Sequence, residues 1–149
     1  MSVEIGSMES LVALHALATW YMVGLIWFVQ VVHYPGFGSI PREGFGDYAN
    51  RHVRRTGWVV GPPMLVEVAT AGLLVFYMPH WLTFVGALLL AVVWASTALL
   101  QVPAHDRLCS DGYDEAVIQR LVKSNWLRTA AWSLRGVVAA ALMLSVLNG

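Results

Sequence analysis

Charge is what this chain has least of. Asp, Glu, Lys and Arg make up 12% of its 149 residues, whereas 58% are hydrophobic and the mean hydropathy is +0.63. A water-soluble domain carries about 25% charged residues, so this composition excludes one and makes the bilayer the solvent in which the chain folds. A single cysteine, Cys109, excludes a disulfide framework. Charges that sum to zero, with a pI of about 7.0, leave no basic excess for a nucleic-acid partner. No internal repeat, low-complexity tract or shift in composition marks a second unit, so a single domain over residues 1–149 is expected.

What is present is four long apolar runs, at about 11–33, 57–78, 81–102 and 126–147. Each matches the ~20 residues that a helix needs to cross a bilayer. The fold class implied is all-α, an integral membrane four-helix bundle with a short interfacial helix over residues 43–56 before the second span. The first run is expected to be a retained helix. MSVEIGSMES, ahead of it, has no basic residue, and no small-residue cleavage site comes after it.

All nine Lys and Arg residues fall in the first or third connection or in the helix starts beside them. The N-terminal segment, the PH turn between spans two and three and the C-terminal tail have none. The positive-inside rule then places both basic connections on the cytoplasmic side of an inner (plasma) membrane, with both termini outside. Cys109 falls in the reducing compartment.

Polar residues inside the runs keep helical phase. His15, Thr19, Met22, Ile26, Gln30 and His33 share one stripe of the first span, and Asn125, Arg128, Trp132 and Arg135 share one of the fourth. The second span offers Pro63, Glu67, Thr70 and Leu74; the third offers Trp94, Thr97, Gln101 and, if the helix passes Pro103, His105. Polar side chains are costly in lipid, so each stripe is expected to face inward. Glu67 and Arg135 lie about ten residues into two spans that run the same way, at matching depth, so an ion pair is expected. His15 is expected to bond between helices rather than ligate haem, because no second histidine shares its depth. Trp58, Trp81 and Trp126 fit an interfacial belt, whereas Trp20, Trp27, Trp94 and Trp132 lie deeper, fit for packing or for walling an aromatic pocket.

One end of the bundle gathers His33, His52 and His105, a carboxylate, Tyr48 and two arginines, and two readings are open. In the first, Glu67, Arg128, Arg135 and Tyr48 are catalytic, and Gln30, Gln101 and Asn125 hold a cofactor or substrate. His33, His52, Glu67 and His105 would ligate a transition metal such as Fe, Cu or Zn, with haem a weaker fit. Imidazoles and carboxylates from separate helices are how bundles build such centres, although no HxxxH or ExxH spacing is present. In the second reading the same residues are ties that fix the register of a non-catalytic module binding lipid, haem or a partner subunit. Four spans without repeats would have to oligomerise to form a transport path. The small residues of AAWSLRGVVAAA would let a second copy pack closely.

QVPAHDRL after the third span, the acidic linker after it and KSNWLRTAAWSLRG at the start of the fourth resemble the corresponding region of small four-helix membrane proteins related to fungal anthrone oxygenases. The resemblance covers the last third of the chain and the four-span layout; HYPGF and HVRRTGWVVGPPMLVE lie outside it. It implies an oxidative role. As an enzyme, the protein would oxidise or oxygenate a hydrophobic, aromatic or quinone-like molecule entering from the bilayer. Glu67 or a histidine would be the base, and Arg128 and Arg135 would stabilise a phenolate or enolate oxyanion.

Overall fold

The computed structural model describes residues 2–148; Met1 and Gly149, the ends of the expected single domain, lie outside the described residues. Its first rod is α1 (Ser2–Phe28), a π-helical turn (Val29–His33), α2 (Tyr34–Gly36) and a 3-10 turn (Phe37–Ser39). The second rod is α3 (Phe45–Tyr77). A third joins α4 (Trp81–Ser96), a π-helical turn (Thr97–Gln101) and α5 (Val102–Ser110), and the fourth is α6 (Glu115–Leu147). There is no strand among the described residues. All four rods are long and apolar enough to cross a membrane.

The rods form a ring. α1 lies against α3 and α6, and α4 against α3 and α6. The α3–α6 and α1–α4 pairs therefore stand on the diagonals, so a side chain must be long to tie α3 to α6 across the centre. Gly136 of α6 lets α1 come close, because a Cβ there would stand 3.2 Å from Val23 Cγ2. Asp111 and Gly112 form the turn before α6, with Gly112 at a φ of 82° that side-chain-bearing residues avoid. Asp114 then caps α6, its Oδ1 accepting from the Ala116 and Val117 amides.

The two π-helical turns share a cause. Tyr34 N–H bonds back to Val29 O and Val102 N–H to Thr97 O, each one residue further than in an α-helix, and each donor immediately precedes a proline, Pro35 or Pro103. A proline ring collides with the carbonyl four residues before it and offers no N–H. One extra residue in the preceding turn relieves both problems and carries the helix on, so the third rod passes Pro103 as far as Ser110.

The structure departs from the expected short helix over 43–56. That segment is the first part of α3, a continuous 33-residue helix that contains Pro62 and Pro63. The carbonyls left without donors belong to Trp58 and Val59, at the end of the span where Trp58 fits the interfacial belt and where headgroups and water supply donors. The basic end is thus no loose loop. Tyr34, Phe37, Phe45, Ala49, Leu108 and Leu121 close a core of their own beneath it.

Of the four inner tryptophans only Trp132 is buried. Trp20, Trp27 and Trp94 face outward, at 50%, 44% and 39% exposure, and Trp94 borders an open apolar groove between α3 and α4. Val93, one residue from Trp94, takes the inward position.

Candidate functional site

Polar side chains descend the bundle axis in tiers. In the tier furthest from the basic end, His15 Nδ1 stands 2.7 Å from Thr70 Oγ1. The Thr70 hydroxyl also lies 2.7 Å from Val66 O, to which it donates when His15 Nδ1 carries the proton. His15 is an interhelical tie, as its depth implies.

The next tier centres on Glu67, with no exposed surface. Its Oε1 accepts from Thr19 Oγ1 at 3.0 Å and from Arg135 Nη2 at 2.9 Å, and its Oε2 accepts from Trp132 Nε1 at 3.0 Å. Arg135 also donates from Nη1 to the Gly86 carbonyl. The expected ion pair is present, and one carboxylate and one guanidinium bind α1, α3, α4 and α6 together across the diagonal. Both oxygens of Glu67 are committed to donors.

Gln30 anchors the third tier. Its Oε1 accepts from Asn125 Nδ2 at 2.9 Å and its Nε2 donates to Val122 O at 3.2 Å. Asn125 Oδ1 accepts from Arg128 Nη1 at 3.3 Å, and the Arg128 guanidinium lies 5.2 Å from the centre of the Trp132 ring. Gln101 Nε2 donates to Ser124 Oγ at 2.9 Å. Gln30 and Asn125 bond to each other and to the protein. Gln101 and Arg128 keep unused capacity.

At the basic end the imidazoles meet. His33 Nε2 lies 2.9 Å from His52 Nδ1, and the His52 and His105 ring centres are 5.2 Å apart. His105 Nε2 bonds the Tyr34 hydroxyl at 3.0 Å. Tyr48 stacks on His52 with centres 6.5 Å apart and an interplanar angle of 13°, and Phe37 meets His33 and His52 edge-on. Three of the four residues proposed as metal ligands therefore cluster, but the fourth does not. Glu67 is fifteen residues from His52 on one continuous helix, roughly 22 Å at ~1.5 Å per residue. Among the described residues no group of three or more His, Cys, Asp or Glu side chains is arranged to hold a metal ion.

A cavity of about 260 Å³ borders the third tier at Gln101 and Arg128 and the imidazole end at His105. Its apolar wall includes Met22, Ile26 and Val60; its polar end is Tyr34, Gln101, His105 and Arg128. Val53 and Val102, at 39% and 47% exposure, stand where it opens between α3 and the third rod. Three buried side-chain atoms have no hydrogen-bond partner among the described residues: Gln101 Oε1, His105 Nδ1 and Arg128 Nε. All three belong to residues that line this cavity. Buried polar atoms are rarely left unpaired, and these three belong to residues around one cavity.

Of the expected catalytic set, Arg128 borders the cavity. Glu67 and Arg135 form the tie below it, and Tyr48 is a ring partner at the basic end. The tyrosine that lines the cavity is Tyr34, which residue spacing does not single out. Its signal lies in the HYPG tetrad: a tyrosine just before Pro35 sits where the π-helical turn rotates the helix by about one residue.

No protein-family profile matches the chain, and neither characterised proteins nor solved structures give a match.

Proposed function

We propose that the protein is a membrane-embedded oxidoreductase of oxygenase type that draws a hydrophobic, aromatic or quinone-like substrate from the bilayer into the cavity between α3 and the third rod. The observation that carries this reading is the convergence of three unpaired buried polar atoms on one largely apolar cavity whose lining includes the exposed Val53 and Val102. The resemblance of QVPAHDRL and KSNWLRTAAWSLRG to anthrone-oxygenase-like proteins supplies the reaction class. In the tautomer whose Nε2–H donates to Tyr34, His105 Nδ1 is a base with a free lone pair. It takes a proton from carbon beside the substrate carbonyl. The C–H pair stays on the substrate as an enolate whose oxygen lies against Arg128, which the Trp132 ring and Asn125 hold in place. Dioxygen, the co-substrate, accepts that pair as the C–O bond forms, and the resulting peroxide takes the proton back from His105 to leave as the hydroperoxide. Gln101 orients the substrate head, and Gly57 and Gly61 keep the wall of α3 thin where the substrate passes.

The experiment compares hydrophobic molecules that co-purify with the protein and with Gly57→Leu. A Cβ at Gly57 meets nothing within 4 Å, so the larger side chain is accommodated in the opening without a clash at its root. Mass spectrometry should find a compound enriched on the unaltered protein and lost from the variant, and that compound should be consumed with dioxygen uptake. Equal recovery from both proteins, or no dioxygen uptake, would refute the reading.

The same proposal includes the orientation implied by the basic residues: an inner (plasma) membrane protein with both termini external and the imidazole cluster on the cytoplasmic side. Cys109, free and partly exposed beside that cluster, reports it. A membrane-impermeant thiol reagent should label Cys109 only after cells are permeabilised. Labelling in intact cells would invert the orientation.

A further inference from the structure

Resting on the reading of the cavity as a ligand site, the geometry points to an occupant that is charged before any reaction. It is a small amphipathic monoanion, with its acid oxygens on Arg128 and its apolar body along Met22, Ile26 and Val60. The argument is one of charge. The charged side chains buried among the described residues are Glu67, Arg128 and Arg135, two cations against one anion. Arg135 takes Glu67, the only ion pair among the described residues, and Arg128 is left without a carboxylate.

Arg128 cannot escape to water or headgroups either, being 6% exposed rather than extended toward the surface. Its neighbours are the Asn125 amide oxygen, the Trp132 ring and the Tyr34 hydroxyl, all neutral groups that orient a guanidinium without cancelling its charge. Asp106 lies on the rim of the same cavity, but it is exposed, its charge is screened by solvent, and no ion pair joins it to Arg128. An unneutralised buried cation is tolerated where the missing anion is a ligand. The remaining atoms specify the head further. Arg128 Nε offers a donor to an acid oxygen, and Gln101 Oε1 asks for a hydroxyl donor on the same molecule. The volume of about 260 Å³ is below that of drug-sized pockets, so a body of one or two rings fills it.

The test measures binding of 3-hydroxy-2-naphthoate and of its neutral amide, 3-hydroxy-2-naphthamide, to the detergent-purified full-length protein by calorimetry. The carboxylate should bind about tenfold or more tightly than the amide, the usual value of a hydrogen bond to a charged group over a neutral one. Arg128→Gln should erase that preference, Arg128→Lys should keep part of it, and Gly57→Leu should abolish binding of both. The acid-against-amide comparison needs no variant, so it stands even if Arg128→Gln fails to fold. Equal affinities for acid and amide would overturn the charge inference while leaving the cavity as a site for neutral molecules. Binding of neither would overturn the cavity reading, and this inference with it.

Discussion

Glu67→Leu will lower the stability of the bundle by about 3–5 kcal/mol, the cost of stranding one partner of a buried ion pair. The loss is large because the carboxylate serves three donors on two helices: Thr19, Trp132 and Arg135. Without it Arg135 keeps only the Gly86 carbonyl, and a cation sits uncompensated at the bundle centre. Arg135→Leu leaves the better-supported remnant, since Glu67 would retain Thr19 and Trp132, so it should cost less than Glu67→Leu. Replacing both together should cost less than either single change, because two leucines restore apolar packing and strand no charge. Equilibrium unfolding in mixed detergent micelles across the four proteins measures this as a double-mutant cycle. Strictly additive losses would mean that the two side chains do not act as a pair.

That pair is legible in the sequence, and the reason is geometric. Depth in a membrane helix is a count of residues, and phase is a remainder on 3.6, so spacing alone matches Glu67 to Arg135 in depth and assigns the stripes of His15 to Gln30 and Asn125 to Arg135 to the interior. The errors arise where the period breaks. A straight α-helix gives no reason to prefer Tyr34 to His33, but the π-helical turn over Val29–His33 rotates the next turn of the rod, burying Tyr34 while His33 stays partly exposed. The double proline suggests a break, yet the carbonyls it leaves without donors, those of Trp58 and Val59, lie at the interfacial end of the span, where the helix continues through it. The four-ligand metal set fails on a distance that only the structure shows: His52 and Glu67 share the continuous helix α3 where the sequence suggests a break, and fifteen residues of helix cannot fold back to one ion. Unpaired atoms are a different matter. That Gln101, His105 and Arg128 each keep a free atom while Gln30 and Asn125 do not depends on rotamers and neighbours that no spacing encodes.

Trp132→Ala will destabilise the bundle by about 3–5 kcal/mol, as removal of a fully buried large aromatic does. Trp132 is the hinge between the two charged tiers. Its Nε1 donates to Glu67 Oε2 below, and its ring supports the Arg128 guanidinium above. The alanine variant loses packing, hydrogen bond and cation–π support together, so Trp132→Phe is needed to separate them. Phenylalanine keeps most of the buried area and a weaker face for Arg128, but leaves Glu67 Oε2 without its donor, a cost of about 1–3 kcal/mol. If that cost is the hydrogen bond, it should vanish in the background where Glu67 and Arg135 are both leucine, since no carboxylate remains to be stranded. Affinity for 3-hydroxy-2-naphthoate should survive Trp132→Phe, because Trp132 supports Arg128 from outside the cavity wall, and fall in Trp132→Ala, where the guanidinium loses its platform. A Phe variant as unstable without the Glu67–Arg135 pair as with it would show that packing alone accounts for Trp132, and that the two tiers are independent.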